Sequence, residues 1–312
     1  MASFDTVNYS LRPNKAIQRA IVFGLIRNTI DALKISSPVY IGFGSIWFSD
    51  FHIAHKSLGI KKLVSVEADE IGYKRAVFNR PFKCVEVLHE WSTDAIPGLR
   101  QNPNYSDFPW ILWLDYDSYL NEDMLAEITE LPNILPESSQ VYVTVNAVPH
   151  KYGKPKQLLT NLEELFGDVF PSYTKKQDVE PQKFQRFLGK QLLDSIQAAA
   201  IRNGRPGGFV PNCLLPYRDG AQMLTVGGIF PKRGAREAAR NVSEKERSGF
   251  PAVDIETPPL TMKESVALQS ELPRARAMSR ASIRRIGFDL TEDQVSAFQE
   301  FYRYYPHFAQ LV

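Results

Sequence analysis

A glycine turn and an acidic residue stand at the ends of two consecutive predicted strands. The apolar run VYIGFG, residues 39–44, includes Gly42 and Gly44 and precedes a helical stretch, so the backbone there can approach a ligand closely. Glu67 ends the next strand about 20 residues further on, where a carboxylate can accept hydrogen bonds from both ribose hydroxyls. Trp47 replaces the third glycine of a dinucleotide-binding turn, which favours a compact adenosine-containing ligand without a pyrophosphate. Alternatively, the turn serves only strand-to-helix packing, and Glu67 is a solvated acid.

Two carboxylates follow the fourth predicted strand. Asp115 and Asp117 come after the apolar run 110–114, at the sheet edge where folds of this kind place substrate-facing side chains. A carboxylate there can orient a nucleophile or accept its proton, so we take both as candidate catalytic residues, with Asp115 leading. Asp115 could instead cap the following helix. With Asn146, at the end of the fifth strand, Asp115 could also ligate Mg²⁺, although polar caps at strand ends are the simpler interpretation.

Histidines and basic residues near the amino terminus offer further candidates. His52 and His55 stand three residues apart in a predicted helix. Because a histidine pair without a third ligand is a poor zinc site, we predict no metal. Arg12 and Lys15 either fold over the cleft and hold an anionic group or simply begin the first helix after Pro13.

An arginine run without acidic residues lies near the carboxyl terminus. It consists of Arg274, Arg276, Arg280, Arg284 and Arg285. Such a cluster can face phosphates, but a solvated basic face that contacts a protein is the alternative, since no recognised reading motif accompanies it. The formal net charge of the chain, +2, is too near zero to indicate a nucleic-acid partner by itself.

Short apolar strands alternate with helices through the first half of the chain. A helix over residues 15–33 precedes five such strands, and this alternation predicts a parallel sheet covered on both faces. After Gly207 and Gly208, two strand-like runs flank Asp219 and Gly220, which is a hairpin signal. Five strands followed by an antiparallel hairpin is the plan of the Rossmann-like class I methyltransferases. We therefore predict that α/β fold.

Length and composition set the domain organisation. The chain has 312 residues, of which 44% are hydrophobic, enough for one large domain with appendages. The predicted parts are an N-terminal helical segment over 1–35, the Rossmann-like domain over 36–230 with a helical insertion over about 151–206, and a C-terminal extension over 231–312. In the extension, Thr291 and Gln294 form a predicted capping box. The apolar runs are too short to span a membrane, and Cys84 and Cys213 show no metal-ligand spacing. We therefore expect a cytoplasmic protein without a membrane partner.

Several stretches of the chain carry a family resemblance. They are NYSLRP (8–13), YIGFGSIWFSDF (40–51), SVEAD (65–69), FNRPF (78–82), WLDYDSYL (113–120) and, more loosely, YRDGAQMLTVGG (217–228) and YRYYPHF (302–308). Over most of its length the chain resembles a bacterial family described as putative O-methyltransferases.

The resemblance implies the class I methyltransferase fold, S-adenosylmethionine as cofactor and methyl transfer to an acceptor that it does not specify. The cofactor-binding residues that it implies are Gly42, Gly44 and Ser45 at the methionine and ribose end, Glu67 at the ribose, and Asp94 near the adenine. Tyr40 departs from the class pattern, because an acidic residue is common two positions before the first glycine.

Two other functions are compatible with the sequence. A catalytically degenerate scaffold that binds the cofactor and acts through a protein partner would explain Tyr40 and the helical insertion. A nucleic-acid methyltransferase would explain the arginine run, although the fourth strand ends LDYDS and so lacks the Asn/Asp-Pro-Pro-Tyr motif used on exocyclic amines.

Overall fold

The structure is a computed structural model that describes residues 12–248 and 254–306. Parts of the predicted terminal segments, residues 1–11, 249–253 and 307–312, lie outside the described residues. The strands are β1 (Val39–Gly42), β2 (Lys62–Val66), β3 (Val85–Leu88), β4 (Trp110–Tyr119), β5 (Ser139–Asn146), β6 (Val210–Arg218) and β7 (Gln222–Phe230). The helices are α1 (Pro13–Leu33), α2 (Ser49–Lys56), α3 (Glu70–Asn79), α4 (Ser92–Gln101), α5 (Glu122–Ile134), α6 (Leu158–Phe166), α7 (Phe184–Arg202), α8 (Arg236–Ser248), α9 (Met262–Gln269), α10 (Arg280–Ile286) and α11 (Glu292–Phe301).

Seven strands of the described chain form one sheet in the order β3-β2-β1-β4-β5-β7-β6. The strands from β1 to β5 are parallel, and β7 pairs antiparallel with both β5 and β6. The hairpin turn lies at Asp219 and Gly220, where Gly220 has a φ of 79° that favours glycine. The predicted fold class, a parallel Rossmann-like sheet that ends in an antiparallel hairpin, is confirmed.

Apolar side chains alternate between the two faces of the sheet because successive residues of a strand point to opposite sides. In β4, Trp110, Leu112 and Leu114 belong to one core cluster, and Ile111 and Trp113 belong to the other. Helices α4 to α7 contribute to the first cluster, and α1, α2 and α9 to α11 contribute to the second. The near-continuous hydrophobicity of the strands thus reflects burial on both faces.

Helix α1 packs across one face of the sheet, and this packing fixes the position of its first turn. Val22 and Ile26 are fully buried, and each stabilises the fold by about 1.5–3 kcal/mol relative to an exposed side chain. Gln18 Nε2 donates a hydrogen bond of 2.7 Å to Thr225 Oγ1 on β7. These contacts hold the amino-terminal turn of α1 over the carboxyl edge of the sheet.

Strand β4 runs further than the sequence indicates. Asp115 pairs with Thr144 of β5, and after a register irregularity Tyr119 pairs with Asn146. Asp115 therefore lies inside β4, and the prediction that it could cap the next helix is wrong. The N-cap of α5 is Asn121, whose side chain accepts from the backbone N–H of Met124.

The two predicted additions are built largely from helices. The insertion contains α6 and α7, and α7 packs against α5 and the hairpin strands. In the C-terminal part, Ile283 and Phe298 are fully buried in the core cluster that includes α1. Thr291 and Gln294 form the predicted capping box at the start of α11. None of the described helices has the length and apolar character needed to cross a membrane.

Candidate functional site

A cavity of about 580 Å³ opens at the carboxyl edge of the sheet, a size typical of small-molecule sites. Two walls enclose it. The first, which we call the glycine wall, consists of Gly44, Ser45, Glu67 and Trp91. The second, which we call the charged wall, consists of Arg12, Lys15, Arg19, Asp50, Asp115 and Asp219.

Gly44 is fixed in the turn after β1 by contacts on its inner side. Its N–H donates to Ser65 Oγ at 3.1 Å. A β-carbon at this position would lie 2.6 Å from Ser65 Oγ and 2.7 Å from the Phe48 ring, closer than side chains pack. The missing side chain therefore lets the turn pack on β2 and α2, while the outer surface of Gly44 faces the cavity.

Ser45 and Glu67 are polar residues that line the same wall of the cavity. Ser45 has a φ of 49°, and its buried Oγ has no hydrogen-bond partner among the described residues. Glu67 follows β2 and is half-buried, and its Oε1 accepts from the N–H of Asp69 at 3.0 Å. Burial raises the pKa of the Glu67 carboxyl, and the backbone hydrogen bond partly opposes that shift. A buried hydroxyl without a partner marks a place where a ligand can supply one.

Gly42 and Asp94, which the family resemblance implies to be cofactor-binding residues, do not line the cavity. Gly42 lies within β1, where an added β-carbon would come within 3.2 Å of the Trp113 carbonyl oxygen. Asp94 lies in the first turn of α4. Of the described residues near this corner, Glu90, Trp91 and Ser92 line the cavity, whereas Gly42 and Asp94 do not.

Trp91, which is 70% exposed and lines the cavity, was not predicted from the sequence. Its position in the short loop between β3 and α4 was the signal that could have found it, because the loops that follow parallel strands form the ligand crevice.

An ion pair stands at the centre of the charged wall. Lys15 Nζ lies 2.6 Å from Asp115 Oδ1, and the two side chains are 5% and 24% exposed. The same Nζ donates to Tyr217 Oη at 3.2 Å. Burial lowers the pKa of Lys15, and the negative charge of Asp115 partly opposes the shift. The interpretation that Arg12 and Lys15 begin the first helix is confirmed, because Arg12 is the N-cap of α1 and Lys15 lies in its first turn. Both residues also line the cavity.

Arg12 and Asp219 form a second pair at the rim of the same wall. Arg12 Nη1 lies 3.5 Å from Asp219 Oδ2 and also donates to the Asp219 backbone carbonyl. Burial raises the pKa of the Asp219 carboxyl, while Arg12 and Lys15 oppose that shift. The pair joins the start of α1 to the hairpin turn.

Tyr40 and Asp50 replace the acidic residue that the class pattern places near the glycine turn. The buried Tyr40 hydroxyl donates to Asp50 Oδ2 at 2.8 Å, so α2 supplies a carboxylate that β1 lacks. Burial raises the pKa of Asp50, with the charge of Arg19 and the Tyr40 hydrogen bond opposing the shift. Both Asp50 and Arg19 line the cavity.

Asp117 and Asn146 occupy less enclosed positions. Asp117 is exposed at the cavity rim. Asn146 lines the cavity too, but its side-chain Oδ1 accepts from the N–H of Val148 at 3.0 Å. Because the Lys15 ammonium already contacts Asp115, the oxygen donors here do not converge on a cation position.

The histidine pair has structural contacts. His55 Nδ1 lies 2.8 Å from the Ile60 carbonyl oxygen, and the His52 ring packs edge-on against Phe82. A search of residues 12–248 and 254–306 finds no group of three or more histidine, cysteine or acidic side chains that could hold a metal ion.

The arginine run is accompanied by acids in space, contrary to its appearance in the sequence. Arg280 Nε and Arg284 Nη2 lie 2.7 and 3.1 Å from the carboxylate of Asp289. Arg274 pairs with Glu271 at 3.5 Å. The positive charge of this surface is therefore partly neutralised within the chain, which weakens the argument for a phosphate-binding face.

The solved structures that are similar to this chain include three with the following coverage. An O-methyltransferase from Bacillus cereus, solved in complex with SAH, is 13% identical with a TM-score of 0.42, covering 73% of this chain and 86% of that one. A protein of Streptococcus thermophilus described as a putative hemolysin is 14% identical with a TM-score of 0.38, covering 72% and 73%. A methyltransferase from Pyrococcus furiosus is 12% identical with a TM-score of 0.37, covering 68% and 83%.

No curated protein matches the chain. A family model described as "Putative O-methyltransferase" matches residues 7–312, which includes both walls of the cavity. The chain therefore belongs to the putative O-methyltransferase family.

Proposed function

We propose that the cavity binds S-adenosylmethionine and that the protein transfers the methyl group to an acceptor held beside Asp115. The observation that carries this proposal is the glycine wall, where Gly44, Ser45 and Glu67 line one cavity at the carboxyl edge of the sheet. Family membership supports the same reaction.

The residues present suit an adenosine-containing cofactor. Glu67 would accept hydrogen bonds from the two ribose hydroxyls, as an acid at this strand end does in related folds. Ser45 and Gly44 line the turn where the sulfur-bearing chain would pass, and the Trp91 indole offers an apolar face for the adenine. Gly42 and Asp94 contribute through the geometry of the turn and of α4.

When bound, the cofactor supplies an electrophilic methyl group on a sulfonium. The task of the protein is then to align an acceptor lone pair and to receive the acceptor proton. Asp115 would do both, because it lines the cavity and the Lys15 ammonium, 2.6 Å from its Oδ1, holds the carboxylate in position. Asp117, at the rim, is placed to orient the acceptor.

Titration calorimetry with S-adenosylhomocysteine tests the proposal. We expect Glu67→Gln to bind more weakly than wild type by about 1.5–3 kcal/mol, because a charged acceptor of two hydrogen bonds is lost. The matched control is Glu70→Gln, on the exposed start of α3 and paired with Lys74, which we expect to bind like wild type. Absence of binding heat with the wild-type protein, or equal affinity of the Glu67 variant, would refute the proposal.

The charged wall favours an enzyme over a degenerate scaffold, since a scaffold needs no buried Lys15–Asp115 pair at the cavity. Recovery of labelled cofactor without transfer to any acceptor pool would favour a scaffold that acts through a protein partner. The neutralised arginine surface likewise disfavours a nucleic-acid acceptor. We place the reaction in the cytoplasm, because Cys84 and Cys213 are both free thiols.

A further inference from the structure

Arg19 is a buried cation whose guanidinium has no hydrogen bond or contact ion pair within the described residues. Its side chain is 7% exposed, it lines the cavity, and it makes no hydrogen bond or ion pair with any residue in the described ranges. A buried guanidinium whose N–H groups lack acceptors loses the hydrogen bonds that water would supply, which costs free energy even near a carboxylate. Packing of α1 on the sheet holds Arg19 there, so the cost is built into the fold.

The other charges of the wall are already matched. Lys15 is paired with Asp115, and Arg12 is paired with Asp219. Arg19 and Asp50 remain: the charge of Arg19 opposes the rise in the pKa of Asp50, but the two side chains are not among the ion pairs of the described residues. Asp50 is 8% exposed, and Tyr40 holds one of its oxygens. The cavity thus has one guanidinium without a hydrogen-bond acceptor and one carboxylate that the Tyr40 hydroxyl positions.

We propose that Arg19 and Asp50 form a binding site for an α-amino-acid head group, with Arg19 receiving the carboxylate and Asp50 receiving the ammonium. A guanidinium binds a carboxylate through two parallel hydrogen bonds. An ammonium ion, in turn, needs a nearby carboxylate when it leaves water. A simple anion would satisfy Arg19 but would repel Asp50, so the zwitterion is the better match.

Two molecules can supply such a head group. One is the amino-acid end of S-adenosylmethionine, in which case the inference rests on the proposed function. The other is an amino acid that serves as methyl acceptor. The chemistry of recognition is the same, and the source is decided by experiment.

Three nucleosides dissect the site by calorimetry. S-adenosylhomocysteine has the whole head group, S-adenosyl-3-thiopropylamine keeps the amine but lacks the carboxylate, and 5′-methylthioadenosine lacks both. We expect Arg19→Gln to weaken S-adenosylhomocysteine about 10- to 100-fold and to leave the other two unchanged. Asp50→Asn should weaken both amine-bearing nucleosides by a similar factor and leave 5′-methylthioadenosine unchanged.

The matched control is Arg27→Gln, on the same helix. Arg27 is exposed and donates to the Ser57 carbonyl at 2.9 Å, away from the cavity, so its loss should change no affinity. Arg19→Lys keeps the charge without the paired geometry and should give an intermediate loss. Tyr40→Phe keeps the Asp50 carboxylate but removes the hydrogen bond that orients it. It should therefore weaken amine-bearing ligands less than Asp50→Asn.

A second arm tests the acceptor as the source. Thermal shifts are measured with individual L-amino acids, on the protein alone and on the protein saturated with S-adenosylhomocysteine. If the head group belongs to the acceptor, Arg19→Gln leaves all three nucleoside affinities unchanged and abolishes the amino-acid shift of the saturated protein.

The inference is overturned if neither arm depends on Arg19 and Asp50. If the wild-type protein binds none of the nucleosides, the proposed function fails, and the amino-acid arm on the protein alone still decides the head-group site. A shift by inorganic phosphate or acetate equal to that by amino acids would also overturn the zwitterion site, because it would show an anion site without a role for Asp50.

Discussion

The two walls of the cavity are built by different physical means. The glycine wall uses backbone turns that follow β1, β2 and β3, and its few polar groups are spaced apart. The charged wall brings together Lys15 and Asp115, which are 100 residues apart in the sequence, and packs the ions of α1 and the hairpin into a buried cluster. Shape governs the first wall, and electrostatic matching governs the second.

This difference predicts where the fold carries energetic cost. A glycine turn costs little stability as it stands, but adding a side chain to it is destabilising. A buried ion pair contributes little net stability, but removing one of its partners is strongly destabilising. Substitutions in the two walls should therefore differ in the size, sign and pH dependence of their effects on the free energy of unfolding.

Loss of Asp115 should have the largest effect. We expect Asp115→Ala to lower the free energy of unfolding by about 3 kcal/mol, because the Lys15 ammonium is left buried without its partner. Lys15→Met should cost less, on the order of 1–2 kcal/mol, since the more exposed Asp115 can turn to water. Urea denaturation measures both, and equal losses would contradict the asymmetry.

The Asp115→Ala deficit should shrink in alkaline solution. The folded pKa of Lys15 is lowered by burial, and without Asp115 it should fall further. Between that folded value and the ordinary value the unfolded state binds more protons, so stability rises with pH. A deficit that stays constant as pH rises toward the ordinary lysine pKa would show that the charge of Lys15 is not its cause.

Filling the glycine turn should have an intermediate effect. Gly44→Ala is expected to cost about 2 kcal/mol, because its β-carbon would meet Ser65 and the Phe48 ring. The control is Gly24→Ala within α1, where an added β-carbon meets nothing within 4 Å; this change should stabilise by about 0.5–1 kcal/mol. Thermal denaturation of the two variants should give shifts of opposite sign.

Glu67→Gln should have the smallest effect on stability. The side chain is half-buried, so we expect a change within about 0.5 kcal/mol. Because burial raises the folded pKa of Glu67, the folded state binds more protons between its ordinary and folded values, and wild-type stability falls as pH rises through that window. The variant should lack this fall. A large loss of stability at neutral pH would mean that Glu67 is a structural residue.

The sequence predicted the glycine wall better than the charged wall. Strand ends and glycines are local signals, so the placement of Glu67 and Gly44 at one sheet edge follows from the alternation of strands and helices. The hairpin and the capping box at Thr291 were predictable for the same reason. Arg19 looks like an ordinary polar residue between apolar ones, because its burial depends on how α1 packs on β6 and β7.

The roles of Tyr40 and Asp50 were also beyond the sequence. The sequence shows a tyrosine at position 40, where an acid is common in the class pattern. Only the fold shows that Asp50 of α2 supplies a carboxylate that accepts a hydrogen bond from the Tyr40 hydroxyl. Likewise, the extension of β4 past Leu114 depends on pairing with β5, which local propensity does not indicate.

A crystal structure with S-adenosylhomocysteine tests the assignment of the cavity most directly. The account predicts a ribose whose two hydroxyls lie within hydrogen-bond distance of the Glu67 carboxylate, with the thioether sulfur beside Ser45 and open space between that sulfur and Asp115. A nucleoside bound elsewhere, or a Glu67 side chain that turns away from a ligand in this cavity, would contradict it.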